Sequence, residues 1–490
     1  MNFLHNRASG ILKHISSLPG PGGIGTLGAS AYTFVDYLAN AKQSYWQILP
    51  ICPTSYGDSP YQSFSTYAGN PYFIDLELLQ KDGLLNEADW KHTHWANDER
   101  FVDYGVLYIE RHKLLRAVHQ KFEQNLPTDF DFFCKENSFW LEDYALFMAI
   151  KDKHGGISFH QWEEDIRTRN PESLANWKNI CYNDIRYYKM LQYLFFKQWK
   201  SLKQYANKKG IRIIGDLPIY VSSDSSDVWA NPEIFDTKEV AGCPPDAFAA
   251  DGQLWGNPVY KWDVLKKQNY QWWITRLTYN LAIYDVLRID HFRGFESYYC
   301  IPAQDTTAKN GVWRKGPGLQ LFTEFKKHAP DAAVIAEDLG FLTDEVKQMR
   351  KDSGFPGMKV LQFAFDSREE NDYLPEHYEH TSVVYTGTHD NDTLLGWINH
   401  SPKEDIDTAL KYLHVNNQGQ LAPAMMKAAM ECVSDTCILT MQDILGLETF
   451  ARMNIPSTLG NNWRWRATEK QLSEAPWNKL RSLTEQTKRC

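Results

Sequence analysis

Cysteine is sparse and forms no pattern. Eight residues (Cys52, Cys134, Cys181, Cys243, Cys300, Cys432, Cys437 and Cys490) are scattered over 490 positions with no CxxC spacing. That excludes a zinc knuckle and a dense disulfide framework, and reduced thiols are expected. No segment approaches the roughly 18 uninterrupted apolar residues that a membrane helix needs. The first twenty residues place Arg7, Lys13 and His14 where a secretory leader would need an apolar core. A cytoplasmic protein without a membrane partner is expected. Positive charge is not in excess: 52 Lys and Arg face 61 Asp and Glu, for a formal net charge of −9. This balance argues against nucleic acid as a partner. The chain lacks HExxH and any compact His, Cys, Asp or Glu ligand spacing, which weakens the case for a metal site. Internal repeats and low-complexity tracts are also absent.

What is present describes a folded chain. Charged residues make up 23% and hydrophobic residues 43%, which excludes disorder. Aromatics reach 14%, with 17 Trp and 26 Tyr. Most should pack the core, although carbohydrate sites also use flat aromatic faces. Short β-like runs recur at 10–15, 45–51, 211–217, 286–290, 333–338, 358–365, 382–386 and 437–441. Helical patterns at 31–41, 319–328 and 343–351 alternate with them. Such alternation implies parallel βα units, and eight of them make an α/β fold of the (β/α)8 TIM-barrel type, with a doubly wound sheet as rival. The uneven spacing predicts two insertions within a single barrel domain spanning 1–490. One, at about 77–210, should be a helical subdomain; the other, at about 222–285, a loop-rich subdomain covering the cleft.

Gly23-Ile24-Gly25-Thr26-Leu27-Gly28 spells GxGxxG between a strand and a helix, the context of a dinucleotide site. Such a site needs an acidic residue at the end of the next strand, and here that strand ends Leu49-Pro50-Ile51-Cys52-Pro53. A tight structural loop is expected instead, and no cofactor.

The strongest feature is a set of acids where strands end. Asp216 closes Ile213-Ile214-Gly215, Asp290 closes Val286-Leu287-Arg288-Ile289, Glu337 and Asp338 close Val334-Ile335-Ala336, and Asp390 follows Tyr385 to His389. An acid after an apolar run is costly to bury unless it is paired or opens into a polar cleft. In a barrel all strand C-termini face one side, where Arg288, His291 and His389 would join these acids. Any one acid could instead cap a helix. As a cluster they leave two chemistries open: a carboxylate and histidine metal site, or paired carboxylates for glycosyl transfer.

Arg288-Ile289-Asp290-His291-Phe292-Arg293-Gly294, Ala336-Glu337-Asp338-Leu339-Gly340 and Gly387-Thr388-His389-Asp390-Asn391-Asp392-Thr393 resemble the catalytic motifs of glycoside hydrolase family 77, the amylomaltases or disproportionating 4-α-glucanotransferases. Also similar are Ser16 to Gly20 with Gly23 to Gly25, Gly57 to Ser63, Gly215 to Val221, Pro244-Pro245-Asp246, Gly252 to Pro258, and Asn454-Ile455-Pro456 with Gly460 to Arg466. They occur in order from residue 16 to 466.

The resemblance implies transfer of α-1,4-glucan segments between malto-oligosaccharides, amylose, or starch- and glycogen-derived chains, with cyclic glucans as a further product. Asp290 is implied as the nucleophile, with Arg288 holding it ionised. Glu337 is implied as the acid and then the base, and Asp390 as the residue that grips and distorts the reacting ring beside His389. Tyr61, Asp216 and His291 are implied around that ring, Trp255 as an acceptor-side platform, and Ser59 as a further substrate-binding residue. Asp246 would order the loop over the cleft. Tyr56 lies in the family's loop that can hold a second glucan away from the active site. Position 247 is Ala, where some members carry an aromatic that covers the glucan. Trp463 and Trp465 read as packing near the last strand, Asp338 as orienting its neighbours, and the Asp224 to Asp227 run as a solvated loop or helix cap. The family needs no metal, and the sequence assigns no oligomeric state. An α-glucan hydrolase with the same trio, or a non-catalytic glucan-binding protein, are the alternatives.

Overall fold

The computed structural model describes residues 6–55, 57–245, 250–340, 342–368 and 373–490. Tyr56, Asp246 and Ala247 lie outside the described residues. Among the described residues twelve strands run in chain order: β1 Ala8–Leu12, β2 Tyr45–Gln47, β3 Arg212–Leu217, β4 Phe235–Cys243, β5 Gln253–Tyr260, β6 Val286–Ile289, β7 Ser297–Pro302, β8 Val312–Lys315, β9 Val334–Ala336, β10 Gly357–Val360, β11 Ser382–Tyr385 and β12 Thr436–Thr440. Eight of them form one parallel sheet in the order β10-β11-β12-β1-β2-β3-β6-β9. The two ends meet where the Ala336 N–H donates to the Pro356 carbonyl at 2.9 Å. This is a (β/α)8 barrel, and each expected strand lies at or next to an observed one. Several expected runs extend past the last ladder bond, because residues such as Ile15, Ile51 and Phe365 stay buried after leaving the sheet. Strands buried on both faces read as unbroken apolar runs, which made them visible.

Closure between the first and last strands uses residues far apart in sequence. Ala8 pairs with Thr436, and Leu12 with Thr440. The fully buried Arg489 donates to the carbonyls of Ala8 and Asp435, both at 3.1 Å, and of Met430 at 2.6 Å. Arg7 adds a bond to the Cys432 carbonyl at 2.8 Å.

Between β2 and β3 lie the helices Tyr104–Gln124, Ser138–Lys153 and Tyr182–Lys208. Two buried glutamines of the last helix hold the segment that leads out of β2. Gln192 accepts from Gly69 N–H at 2.7 Å and donates to the Gly69 carbonyl at 3.0 Å, and Gln198 accepts from Asp75 N–H at 2.8 Å. Residues 222–285, read as loop-rich, contain β4 and β5, which join β7 and β8 in an antiparallel sheet of order β5-β4-β7-β8. Register shifts between Asp236, Val240 and Gly242 break the period-two alternation by which such strands are read from sequence.

The GxGxxG segment has no room for a phosphate at its helix. A Cβ at Gly28, the residue that opens helix Ala29–Asn40, would fall 2.0 Å from Asp75 Oδ2, so a protein carboxylate occupies that helix start. Asp224 pairs with Lys151 Nζ at 2.6 Å and accepts from Phe159 N–H at 3.0 Å. Asp227 accepts from Thr66 N–H at 2.8 Å.

Asp227 carries a stability prediction. Burial pushes its carboxyl up to about 6, against the pull of the Thr66 N–H and Arg276. Between its unfolded value and about 6 the native state holds the extra proton, so stability falls as pH rises through that window. The cost above the window is about 3 kcal/mol. Asp227→Asn keeps an oxygen acceptor and removes the charge. Its calorimetric Tm should exceed that of the natural protein by a margin that widens from pH 4.5 to 7.5. A margin independent of pH would refute the assignment.

Candidate active site

Asp290, Glu337 and Asp390 follow strands of the barrel at their C-terminal ends and line one cleft, with Asp216 of β3 behind them. Asp216 lies within β3 and Arg288 within β6, directly opposite in the parallel register. Gly215, just before Asp216, leaves space that the Tyr284 ring fills: a Cβ there would lie 2.2 Å from it. Arg288 Nη1 donates to Asp216 Oδ1 at 2.7 Å and Oδ2 at 2.6 Å, and its Nη2 lies 3.0 Å from Asp290 Oδ1. Burial works against the guanidinium charge, but Asp216 and Asp290 hold it protonated well above the ordinary value. Asp216 also accepts from the Tyr61 hydroxyl at 2.8 Å. One buried cation is thus bracketed by two carboxylates.

Glu337 follows β9 and accepts two peptide N–H bonds, from His291 at 2.6 Å and Leu339 at 3.0 Å. The first depends on a strained backbone: His291 is left-handed, with φ +51° and ψ +50°. Burial raises the carboxyls of both Asp290 and Glu337, Asp290 well above its usual value, with Arg288 opposing in each case. Neighbouring acids that compete in this way share protons. The direct ion pair with Arg288 favours charge on Asp290, whereas Glu337 meets peptide groups instead of a cation. Asp338 is engaged elsewhere: it accepts from Met358 N–H at 2.7 Å and pairs with Arg350 at 3.1 Å, bridging β9 to β10.

Asp390 Oδ1 accepts from Asn454 Nδ2 at 2.6 Å, and its Oδ2 lies 3.4 Å from His389 Nε2. Arg452 donates to the Asp390 carbonyl at 2.5 Å and to the Asn454 carbonyl at 2.7 Å, tying both residues to one loop. The His389 ring is stacked on Tyr61, with centroids 5.2 Å apart, and is tilted 40° against Trp463 at 5.8 Å. Burial lowers His389, and burial with Arg293 brings His291 down to about 3, so the His291 ring is neutral near neutral pH.

These groups line one open cleft of about 640 Å3. Of the residues singled out in the sequence, Ser59, Tyr61, Trp255, Arg288, Asp290, His291, Glu337, His389 and Asp390 reach it, while Asp216 sits behind them at 2% exposure. Ser59 accepts from Tyr61 N–H at 3.2 Å and so shapes the turn that presents Tyr61. Trp255 meets the His291 ring edge-on at 4.9 Å.

Two residues of the tail motif have roles that were not legible in the sequence. Asn454, which fixes Asp390, lies 64 residues beyond it. Trp463 lines the cleft beside Tyr61 and His389 instead of only packing near the last strand. Its left-handed backbone, φ +63°, with its N–H bonded to the Met453 carbonyl at 2.6 Å, turns the ring inward, and no side-chain pattern announces that turn. Trp465 stays in the core, 2% exposed, under Lys13 Nζ at 4.5 Å.

The chain is similar to known proteins over nearly its whole length. A family model described as 4-alpha-glucanotransferase matches residues 13–472. The 4-alpha-glucanotransferase of Clostridium butyricum is 48% identical over 97% of this chain and 100% of its own length, and that of Thermus thermophilus is 43% identical over 99% of each. The solved amylomaltase of Streptococcus agalactiae, in complex with acarbose, superposes with a TM-score of 0.96 at 40% identity, covering 99% of each chain. An amylomaltase from Corynebacterium glutamicum shares the fold at TM-score 0.79 and 18% identity. With matched residues spanning almost the whole chain, and the acids its motifs supply gathered in one cleft, the chain belongs to the 4-alpha-glucanotransferase family, glycoside hydrolase family 77.

Proposed function

We propose that this protein transfers α-1,4-glucan segments between malto-oligosaccharide or starch-type chains by double displacement through Asp290. Asp290 attacks the anomeric carbon of the donor as the glycosidic C–O bond breaks, and Glu337 gives its proton to the departing 4-oxygen. The 4-hydroxyl of an acceptor then attacks the glucosyl-Asp290 ester. Glu337 takes the hydroxyl proton, Asp290 leaves as carboxylate, and two inversions return the α-configuration.

The observation that carries this reading is the unequal surroundings of the two acids. Asp290 touches a guanidinium locked between two carboxylates, whereas Glu337 makes no ion pair among the described residues and burial raises its carboxyl against the pull of two peptide N–H groups and the more distant Arg288. Opposed environments of this kind separate a nucleophile from a proton donor. Asp390, held by Asn454 and beside His389, is suited to grip two adjacent hydroxyls of the reacting ring. Tyr61, His389 and Trp463 give that ring apolar walls, and Trp255 with His291 flanks the next sugar. Asp216 acts through Arg288. Asp246 and Tyr56 keep their proposed roles, loop ordering and a second glucan contact, on sequence resemblance alone.

The test uses maltotriose alone. Glucose with maltopentaose and longer chains should appear while the reducing-end total stays constant. A rising total with only shorter sugars would make the protein an α-glucan hydrolase, and no change would leave a binding protein.

A further inference from the structure

Of the 17 tryptophans, all within the described residues, only Trp313 is exposed, at 44%. Single exposed apolar residues are common and need no account. Trp313 differs in packing against two side chains that connect to the lining of the cleft. It lies on β8, opposite Tyr299 of β7. The Arg293 guanidinium is stacked 4.2 Å from its ring centroid, and the Tyr299 ring meets it at 5.3 Å and 62°. Both supports lead to the cleft. Arg293 is three residues beyond Asp290 and two beyond the cleft-lining His291. The Tyr299 hydroxyl donates at 3.0 Å to the carbonyl of Ala308, which lines the cleft with Thr306 and Thr307 on the β7–β8 hairpin. The neighbouring Val312 is 53% exposed.

We propose that Trp313, with Val312, is a platform for an α-1,4-glucan chain that continues out of the cleft, so that it binds chains too long to end inside. This rests on the glucan reading of the cleft. A pyranose ring presents one face of C–H groups and a rim of hydroxyls, which matches a flat indole in a polar setting. The flanking residues argue against a protein strand as occupant. Arg314 pairs with Glu239 and Lys315 with Glu296, so the edge of β8 carries charges that resist pairing with another chain.

The test compares KM for amylose with KM for maltotriose in the natural protein and in Trp313→Ala. The ratio of amylose to maltotriose KM should rise roughly tenfold, equivalent to about 1.4 kcal/mol, with Trp313→Tyr restoring part of it. An unchanged ratio would overturn the proposal. So would a natural dimer that Trp313→Ala converts to monomer by light scattering, since a second copy would then be the occupant. Affinity electrophoresis in amylose-containing gels, with Trp313→Ala alongside the natural protein, scores this platform even if no transfer from maltotriose occurs. That second failure would count against the proposed function and not against the platform.

Discussion

Asp290→Ala should remain folded and lose about four orders of magnitude or more in transfer rate, because no other group is placed to form the covalent intermediate. The loss should persist with α-maltosyl fluoride, whose fluoride leaves without a proton. That donor separates the nucleophile from the acid. Folding should be spared or improved: removing Asp290 leaves Arg288 its two contacts with Asp216 at 2.6 and 2.7 Å and relieves crowding among buried acids. A natural far-ultraviolet circular dichroism spectrum with a Tm at or above that of the natural protein is expected. Activity within tenfold of the natural enzyme would remove Asp290 from the nucleophile role.

Glu337→Gln should lose roughly three orders of magnitude on maltotriose and far less in the first step with α-maltosyl fluoride. An amide cannot donate and retrieve the proton, but fluoride departs without one. The glucosyl-Asp290 ester should then accumulate and register in intact-protein mass spectrometry. In the natural protein, burial raises the Glu337 carboxyl and keeps its proton to higher pH, so the rate should fall on the alkaline side as that proton is lost. This limb should vanish in Glu337→Gln. The variant also carries a folding cost: Glu337 accepts from both His291 and Leu339, and an amide nitrogen can accept from neither. About 1–3 kcal/mol of destabilisation is expected from one unsatisfied buried N–H. An equal loss on both donors would show that Glu337 is not the proton donor.

The parts of this site visible in the sequence share a physical origin. Asp216, Asp290 and Glu337 stand out because each interrupts or ends a run of residues buried on both sides, where a charge is costly. The same contrast exposed the barrel strands. Trp463 and Asn454 carry no such contrast, since their positions depend on backbone turns in the loop after β12. The antiparallel sheet around β4 was hidden for another reason. Its register shifts erase alternation, and β8 has four exposed residues with no buried face to signal a strand. Tyr61 was found through its motif, but not its double duty, hydroxyl on Asp216 and ring on His389, which depends on the turn at Ser59.

The seam between β1 and β12 has a consequence for how the protein is made. On the ribosome β1 emerges first, yet Ala8 must wait for Thr436, and for Arg489, which bonds its carbonyl. At cellular elongation speeds that interval is on the order of tens of seconds. Throughout it one edge of an apolar strand has β2 on one side and no native neighbour on the other, the condition that invites pairing between nascent chains. Slow or stalled synthesis should therefore harm yield more than it harms the activity of molecules that finish, and chaperone demand should track translation time.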